Sequence, residues 1–336
     1  MQLPSGFHIQ LVSSKVPGAR FMAFAPNGDL LVSETAGGQV VALRVNPGTD
    51  VTPSVVISGL ELPHGLGFFG NELFIGTWTG ITVLPNYPAG TARTLFAGLP
   101  RNGDHNRRAL AVASDGSLYI SSGSDCNVCS ESDSRLATVM HVNADGSNAT
   151  IYASGLRNAS GLAFDQLGQL WTTVNQRDDL TPDHTNLPVD ELDALQPGAD
   201  YGWPTCYPDL NGQRQPNPEF AGASCAGFSA ATLGLQAHSA PLQLAFYGGS
   251  AFPPHYRGAA FIAFHGSWDR QPKTGYKVVA VIMSGGRPVS VEDFATGWLA
   301  ADEQTVRGRP AGIAVAPDGS LYVSDDENGY IYRIVY

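Results

Sequence analysis

Histidine, arginine and asparagine residues recur in one setting along this chain, just before a predicted apolar strand. They are His64, His105, Arg157, Asn158, His238, Arg307 and Arg309. An imidazole can take up a proton near neutral pH, and guanidinium groups bind carboxylates and other anions as planar forks. If these positions meet in the fold, they form a site for a polyanionic ligand beside a histidine base.

Asp104 lies next to His105 and can hold or polarise that imidazole. A plainer interpretation exists for each residue of the set. An aspartate in a loop often only forms a turn, and a histidine before a strand is usually a capping or surface residue. The recurrence at one position of a repeat, rather than any single residue, favours a shared site.

The repeat itself consists of a small apolar strand, a turn closed by glycine and a second apolar strand. The turn glycines are Gly28, Gly70, Gly116, Gly168, Gly258 and Gly319. Asn-Gly and Asp-Gly between apolar runs are strong hairpin signals, and a third apolar strand often follows. Six such units predict an all-β fold, a six-bladed β-propeller with four-stranded antiparallel blades that forms a single domain over residues 1–336.

Two consequences follow from the propeller. Residues 6–16 are expected to complete the last blade and close the ring, and equivalent positions of the blades converge around the central axis. Residues 175–240 form a long insertion between blades four and five, and long loops in compact domains are usually functional. We expect this insertion to cover one mouth of the channel.

An acidic run lies within the insertion. Its members are Asp178, Asp179, Asp183, Asp190, Glu191 and Asp193. They offer hard oxygen ligands for calcium but lack the spacing of an EF-hand loop, so a calcium site and a solvated acidic loop both remain open.

Composition excludes several classes of protein. The chain has 336 residues, 43% of them hydrophobic and 15% charged, which suits a large folded core. The net charge of -11 and the pI of about 5.0 argue against nucleic acid or an anionic membrane as a partner. No apolar run is long enough for a spanning helix. A small-molecule ligand fits these limits.

Four cysteines, an even number, suit two structural disulfides in a periplasmic or secreted protein. They are Cys126, Cys129, Cys206 and Cys225. The pair spaced by two residues could instead be a redox motif or half of a zinc site, but the other two are too far apart to complete a zinc site. The first ten residues lack the features of a signal peptide, and numbering from either a mature or an engineered terminus would account for this.

Beyond these patterns, a series of motifs resembles the soluble quinoprotein sugar dehydrogenases, the glucose/sorbosone dehydrogenase family, and within it the sorbosone- or pyranose-dehydrogenase-like branch. In order, the motifs are LPHGL (62–66), DHNRRAL (104–110), GSDCNVC (123–129), GLRNASGLAF (155–164), TVNQRDDL, YGWPTCY, HSAPL, FHGSWDR and GRPAGIAVAPDGSLYVSDD. The resemblance covers nearly the whole chain. It implies a six-bladed propeller that carries pyrroloquinoline quinone (PQQ) and calcium at the channel mouth.

The resemblance also implies roles for single residues. His105 would remove the proton from the sugar hydroxyl at C1 while hydride passes to the quinone, and Asp104 would orient His105. Arg157 and Asn158 would lie at the quinone oxygens. The residues implied to contact the cofactor or the substrate beside it are His64, His238, His265, Arg270, Arg307 and Arg309.

Calcium would be held by the main-chain carbonyls of Gln176 and Arg177, where the glucose-oxidising branch has Gly-Pro. In FHGSWDR this chain also lacks the lysine that contacts the quinone in the glucose branch. It offers His265, Trp268 and Arg270 there, with Lys273 beyond. A different substrate preference follows from that departure.

Two other functions fit a six-bladed propeller. One is a calcium-dependent hydrolase similar to the lactonase and paraoxonase group, which would place carboxylates and asparagines around an axial metal. The other is a non-catalytic propeller that binds carbohydrate or protein. The ordered motifs place the sugar dehydrogenase first, with an unidentified electron acceptor.

Overall fold

The computed structural model describes residues 1–45, 50–101 and 103–336. Within these residues the chain forms 27 strands and two short 3₁₀ helices. Six blades of four antiparallel strands stand in a ring, one of them extended by a short fifth strand, so the predicted six-bladed β-propeller is confirmed. No helix in the described part of the chain has the length and apolarity needed to cross a membrane.

The first three blades follow the chain in order. Blade one contains β2 (Ala19–Phe24), β3 (Leu30–Glu34), β4 (Gln39–Leu43) and β5 (Ser54–Ser58). Blade two contains β6 (Leu66–Phe69), β7 (Glu72–Thr77), β8 (Gly80–Leu84) and β9 (Arg93–Ala97). Blade three contains β10 (Leu110–Val112), β11 (Leu118–Ser122), β12 (Thr138–Val142) and β13 (Thr150–Ser154), and the short β17 (Ala199–Asp200) pairs in parallel with β13.

The other three blades complete the ring. Blade four contains β14 (Ala159–Phe164), β15 (Leu170–Val174), β16 (Asp190–Ala194) and β20 (Leu233–Leu235). Blade five contains β21 (Pro241–Phe246), β22 (Ala260–Phe264), β23 (Lys277–Ser284) and β24 (Arg287–Ala295). Blade six contains β25 (Pro310–Val315), β26 (Leu321–Asp325), β27 (Tyr330–Val335) and β1 (His8–Ser13). A separate hairpin joins β18 (Cys206–Pro208) and β19 (Arg214–Pro216), and the 3₁₀ helices are Pro218–Phe220 and Pro254–Tyr256.

The hairpin turns between the first two strands of each blade depend on glycine. Gly116 has φ of 85° and Gly319 has φ of 82°, a region that side chains with a Cβ rarely enter. Asp115 accepts hydrogen bonds at 2.9 Å from the backbone of Ser117 and at 2.6 Å from its hydroxyl. These local interactions explain why the Asp-Gly-Ser sequence predicts the turn correctly.

The innermost strands contact their neighbours around the axis in a closed circle of six. Their approach is so close that Gly161 has no room for a side chain, because a Cβ would lie 2.3 Å from the carbonyl oxygen of Leu242 in blade five. Gln243 bridges blades five and one, since its amide donates to the carbonyl of Met22 at 2.8 Å and accepts from the Met22 N–H at 2.9 Å. The positions at which the inner strands begin are therefore held near one another.

Apolar side chains fill the spaces between adjacent blades. Leu31 of blade one packs with Leu73 of blade two, and Trp171 of blade four packs with Ile262 of blade five. All four are buried. Since the apolar cores lie between blades, polar groups are left to line the cavities near the axis.

The insertion differs from the prediction in one respect. Residues 175–240 contain β16 and β20, which are the third and fourth strands of blade four, so the irregular segments interrupt that blade. The sequence of β16 is DELDA, and its three acidic residues are buried. Buried carboxylates resemble a solvated loop in sequence, which explains why the alternation of polar and apolar residues did not reveal this strand.

The ring closes as predicted, through β1 pairing antiparallel with β27. Just before β1, the ring of Phe7 lies 4.8 Å from that of Phe252 and 5.0 Å from those of Phe294 and Tyr336. The cluster joins the N-terminal segment to blade five and to the C-terminus. These contacts therefore hold the N-terminal and C-terminal segments of the chain together.

We expect Phe7→Ala to lower the free energy of unfolding by about 3–5 kcal/mol, since it removes a buried aromatic ring from this junction. Phe69→Ala is the matched control, because Phe69 is 41% exposed, and its cost should be below about 1 kcal/mol. Urea unfolding followed by circular dichroism measures both. Equal losses for the two variants would contradict the role of the junction.

Candidate functional site

The residues expected to converge surround two adjoining cavities beside the starts of the inner strands. The larger has a volume of about 440 Å³ and the smaller about 190 Å³. Both are lined by Asp104, His105, Asn158, Asn175 and Ala240. We call the larger one the acidic cavity, because carboxylates outnumber guanidinium groups in its wall, and the smaller one the basic cavity, because two arginines line it.

The acidic cavity is also lined by Asn127, Arg157, Gln176, Asp178, Asp179, Asp190, His238, Trp268 and Asp269. The basic cavity is also lined by Arg20, His64, Asn106, Arg107, Ser160, Leu242 and His265. Eight of the twelve residues given a catalytic, cofactor-binding or calcium-binding role therefore line a cavity: His64, Asp104, His105, Arg157, Asn158, Gln176, His238 and His265. Arg177, Arg270, Arg307 and Arg309 line neither.

His105 lies at the junction of the two cavities in a fixed tautomer. Its Nδ1 is 2.9 Å from the hydroxyl of Ser124 and 3.1 Å from the carbonyl of the same residue. The Ser124 hydroxyl donates its hydrogen to the carbonyl of Cys126 at 2.8 Å, so the proton between His105 and Ser124 belongs to Nδ1. Nε2 keeps its lone pair and forms no hydrogen bond with any described residue.

The environment keeps His105 neutral. Burial, and next the positive charge of Arg157, lower the pKa of His105 to about 4, against the opposing effects of Asp104 and Ser124. The Asp104 carboxylate lies 3.9 Å from Nδ1, which is too far for a hydrogen bond, so it acts on the imidazole through its charge. A Cβ at position 123 would lie 2.5 Å from the Cβ of His105. Only glycine at this position leaves room for the His105 side chain.

Arg157, which is 4% exposed, joins three segments through its guanidinium. It donates from Nε to the Asn127 carbonyl at 3.1 Å and from Nη2 to the Asn127 side-chain oxygen at 3.0 Å. Nη1 donates to the carbonyls of Gln176 at 2.7 Å and Asn175 at 3.3 Å, and Nη2 also donates to Asp178 at 3.2 Å. Burial lowers the pKa of this guanidinium, yet it stays charged at neutral pH.

The basic cavity contains two guanidinium groups. Arg20 forms an ion pair with Asp326, whose carboxylate also lies 2.9 Å from Nε2 of His265. The side chain of Arg107 forms no ion pair with any residue that the structure describes, and burial and the charge of Arg20 lower its pKa. An anionic group entering this cavity would meet an unpaired cation in Arg107.

Besides His105, two histidines line the basic cavity, and both are neutral. Burial, followed by the charge of Arg20, lowers the pKa of His265 to about 4. The ring of His64 lies 4.0 Å from that of Phe21, and its Nδ1 lies 3.3 Å from the hydroxyl of Thr35. Burial holds the pKa of His64 well below its usual range. These imidazoles offer neutral polar contacts rather than charge.

The acidic cavity has the opposite character. Four carboxylates face it besides Asp104: Asp178, Asp179, Asp190 and Asp269. Burial raises the pKa of Asp190 to about 7, although the backbone N–H groups of Gln176 at 3.0 Å and Ala240 at 3.1 Å donate to its carboxylate. Against these acids the cavity wall supplies one guanidinium, that of Arg157. A cation is the charge that this cavity lacks.

The three arginines expected to contact the cofactor in blades five and six line neither cavity. Arg309 donates to the carbonyls of His265 at 3.3 Å and Gly266 at 2.9 Å, so it supports the wall of the basic cavity from behind. Arg270 donates to the carbonyl of Ala237 at 3.1 Å. Arg307 is exposed. The repeat position puts Arg307 and Arg309 just before an inner strand, and the resemblance adds Arg270, but neither shows which way these side chains point.

Of the two residues expected to bind calcium through their carbonyls, Gln176 lines the acidic cavity and Arg177 lines neither cavity. The carbonyl of Gln176 accepts the short hydrogen bond from Arg157. The side chain of Arg177 turns away and forms an ion pair with Glu219 at 2.6 Å and a hydrogen bond with Asn217 at 3.1 Å. A guanidinium at one of two carbonyls is an unfavourable neighbour for a divalent cation.

The acidic run divides as well. Glu191 and Asp193 are buried outside the cavities, and Arg214 lies 2.7 Å from the carboxylate of Glu191. Burial, and next the charge of Glu191, raise the pKa of Asp193 well above its usual range. The run is therefore not one solvated loop, since part of it lines the acidic cavity and part belongs to a buried ionic network.

Sequence reasoning missed Asn127, which lies inside the Cys126–Cys129 disulfide loop. Its side-chain oxygen accepts from the backbone N–H of Asp178 at 2.9 Å as well as from Arg157. The second disulfide joins Cys206 and Cys225. Two structural bridges are therefore confirmed, and a polar residue enclosed by the first bridge was the signal available in the sequence.

The chain is similar to known proteins over its whole length. The TrAA12-like family matches residues 1–336. A pyrroloquinoline quinone-dependent pyranose dehydrogenase of Coprinopsis cinerea is 26% identical over 99% of this chain, which spans 54% of that relative's length. The holo PQQ domain of pyranose dehydrogenase from Coprinopsis cinerea has a TM-score of 0.87 at 23% identity, covering 100% of this chain and 97% of its own. A calcium structure of the Trichoderma reesei AA12 enzyme has a TM-score of 0.83 at 24% identity, covering 99% and 96%.

The low pKa of His105 and His265 gives a pH prediction. Between pH 6.5 and about 4 the unfolded chain binds protons at these imidazoles and the folded protein does not, so the stability of the fold decreases as the pH falls through this window. Side-chain NMR titration of labelled histidines should show both rings neutral at pH 5.5. Arg157→Met should raise the pKa of His105, because it removes a nearby positive charge. A wild-type His105 that titrates near 6.5 would contradict this description.

Proposed function

The chain belongs to the TrAA12-like family, and we propose that it is a PQQ-dependent dehydrogenase that oxidises a sugar at C1. The observation that carries the proposal is the neutral imidazole of His105, with Nδ1 occupied and Nε2 open to the cavities. The name of the Coprinopsis relative supports the quinone and a pyranose substrate. An aldose and a sorbosone-like sugar belong to the same proposal.

His105 serves as the base in this reaction. Its Nε2 accepts the proton of the sugar hydroxyl, since the low pKa leaves this nitrogen unprotonated at neutral pH. The carboxylate of Asp104 at 3.9 Å from the ring stabilises the imidazolium that forms. Asp104 is half-exposed, so its effect is moderate and depends on ionic strength.

The cavity residues fit a quinone with three carboxylates. The acidic cavity has a volume of about 440 Å³, within the range of small-molecule sites, and Arg20 and Arg107 of the adjoining basic cavity offer positive charge for the carboxylates. Asn158 faces both cavities and can donate to a quinone oxygen. When bound, the quinone supplies the acceptor for the hydride from C1.

Other residues would bind or position the ligands. The charge of Arg157 stabilises negative charge that develops beside it, although its hydrogen atoms already bond to protein oxygens. His64 and His265 contribute neutral polar contacts, and His238 lies in the wall of the acidic cavity. Trp268 at the same wall is 68% exposed, as suits a ring on which a sugar or a planar cofactor stacks. Arg270 and Arg309 support the walls, and Arg307 lies outside them.

Calcium is the metal that the resemblance implies, but Gln176 and Arg177 do not fit it well. The carbonyl of Gln176 already accepts a hydrogen bond from a guanidinium, and Arg177 lines neither cavity. No step of the reaction is therefore assigned to an ion at this pair. A periplasmic or secreted location is part of the proposal, because two disulfides form readily in an oxidising compartment.

The direct test is reconstitution of the protein with PQQ and calcium, followed by dye-linked oxidation of aldoses, pyranoses and sorbosone-like sugars. We expect quinone-dependent dye reduction that falls by about 10²- to 10⁴-fold in His105→Asn, the usual range for loss of a general base. Quinone binding, followed by absorbance, should be retained. His255→Asn, at an exposed histidine paired with Glu292, is the matched control.

Two results would contradict the proposal. One is the absence of quinone-dependent oxidation with every sugar tested, and the other is full activity of His105→Asn. Metal-dependent hydrolysis of lactones without quinone would instead favour the propeller hydrolase. An activity that persists to about pH 5 and decreases below it is expected from the pKa of His105.

A further inference from the structure

Asp269 has a largely buried carboxylate without a hydrogen-bond partner among the described residues. Its side chain is 9% exposed, and neither of its oxygens accepts a hydrogen bond from any residue in the described part of the chain. Nε2 of His184 lies 3.5 Å from one of its carboxylate oxygens. An ionised carboxylate in this condition is costly unless a cation or donor arrives to satisfy it.

Two further ligand atoms lie beside Asp269. Carboxylate oxygens of Asp178 and Asp269 and a ring nitrogen of His238 lie within 4.8 Å of one another. Oδ1 of Asp178 is 4.0 Å from Nδ1 of His238, beyond hydrogen-bonding distance. Two atoms that ligate one ion at about 2.0–2.2 Å stand about 3–4 Å apart, so this spacing suits a shared ion better than a direct contact.

The backbone and ring of His238 are arranged for ligation. Its Nε2 lies 3.2 Å from the carbonyl of Leu187, and a carbonyl can only accept, so Nε2 carries the proton and Nδ1 presents its lone pair towards Asp178. Metal-binding histidines commonly donate their second ring N–H to a carbonyl in this way. His238 also has φ of 59°, a conformation rare for a residue with a side chain and frequent at functional sites.

Asp178 is held in position by a different contact. Its Oδ2 accepts from Arg157 at 3.2 Å, which leaves Oδ1 for the ion. Asp179 and His184 form an adjoining group with Asp269, so additional ligands are within reach. The combination contains two carboxylates and one imidazole, a donor set that suits Mn²⁺ or Zn²⁺ better than Ca²⁺, which prefers oxygen ligands alone.

We propose that Asp178, His238 and Asp269 form a divalent metal site, held by side chains, that binds Mn²⁺ or Zn²⁺ more tightly than Ca²⁺ and does not require the quinone. The site differs from the carbonyl pair at Gln176 and Arg177. Only the role of the ion rests on the proposed function: the ion would supply the positive charge that the acidic cavity lacks beside an anionic cofactor.

The test uses the full chain, treated with EDTA and free of quinone, and measures Mn²⁺ binding by electron paramagnetic resonance and calorimetry. We expect one equivalent of Mn²⁺ to bind, Zn²⁺ to displace it, and Ca²⁺ to compete more weakly. Asp269→Asn and His238→Gln should weaken Mn²⁺ binding at least tenfold. Asp183→Asn is the matched control, because Asp183 lies in the same insertion and belongs to neither group of ligands.

Thermal unfolding gives a second readout. Without metal, Asp269→Asn should unfold at a higher temperature than the wild type, because it removes an unpaired buried charge, and added Mn²⁺ should reverse this order. Absence of Mn²⁺ binding by the wild type, unchanged binding by Asp269→Asn, or tighter binding of Ca²⁺ than of Mn²⁺ would overturn the proposal.

These results are independent of the sugar oxidation test. A protein that oxidises sugars with PQQ but binds no Mn²⁺ in the quinone-free state refutes the metal site and leaves the proposed function intact. A protein that binds Mn²⁺ through Asp269 but oxidises no sugar does the reverse.

Discussion

The walls of the acidic cavity depend on one buried cation, the guanidinium of Arg157. It lies at the start of the inner strand of blade four and donates to the loop that follows β11, through Asn127, and to the segment that follows β15, through Gln176 and Asp178. Taking this guanidinium out of water is costly, so each of its donors must find an oxygen. The same positive charge acts on His105 and pairs with Asp178. Arg157 thereby lowers the pKa of His105 and orients Asp178.

The propeller makes this arrangement possible because its apolar side chains pack between the blades, while its polar side chains meet near the axis. Apolar side chains fill the spaces between blades, and inter-blade hydrogen bonds such as those of Gln243 hold the inner strands close to the axis. Residues at the start of these strands then meet although they are far apart in sequence. Charge is divided between the two cavities, with Arg20 and Arg107 around one and carboxylates such as Asp190 around the other. An anionic cofactor together with a metal ion would complement both cavities at once.

Much of this architecture follows from local sequence signals. Asp-Gly and Asn-Gly turns are determined by a few neighbouring atoms, so the hairpins and the number of blades could be predicted, and the repeat position located His105 and Arg157 beside a cavity. The strand β16 could not be predicted in the same way, because its acidic residues are buried by partners distant in sequence. The cluster of Asp178, His238 and Asp269 was also inaccessible, since three separate segments meet there only in the folded chain.

Hydrogen exchange of Arg157→Lys tests the central role of Arg157 most directly. Lysine keeps the charge but has fewer donors and no planar fork, so it cannot satisfy the oxygens of both loops. Amide exchange in residues 123–129 and 175–180 should increase together, by at least about tenfold, while exchange in β11 and β15 stays at the wild-type rate. Wild-type exchange in both loops would show that the cavity walls are held by other interactions and would contradict the account.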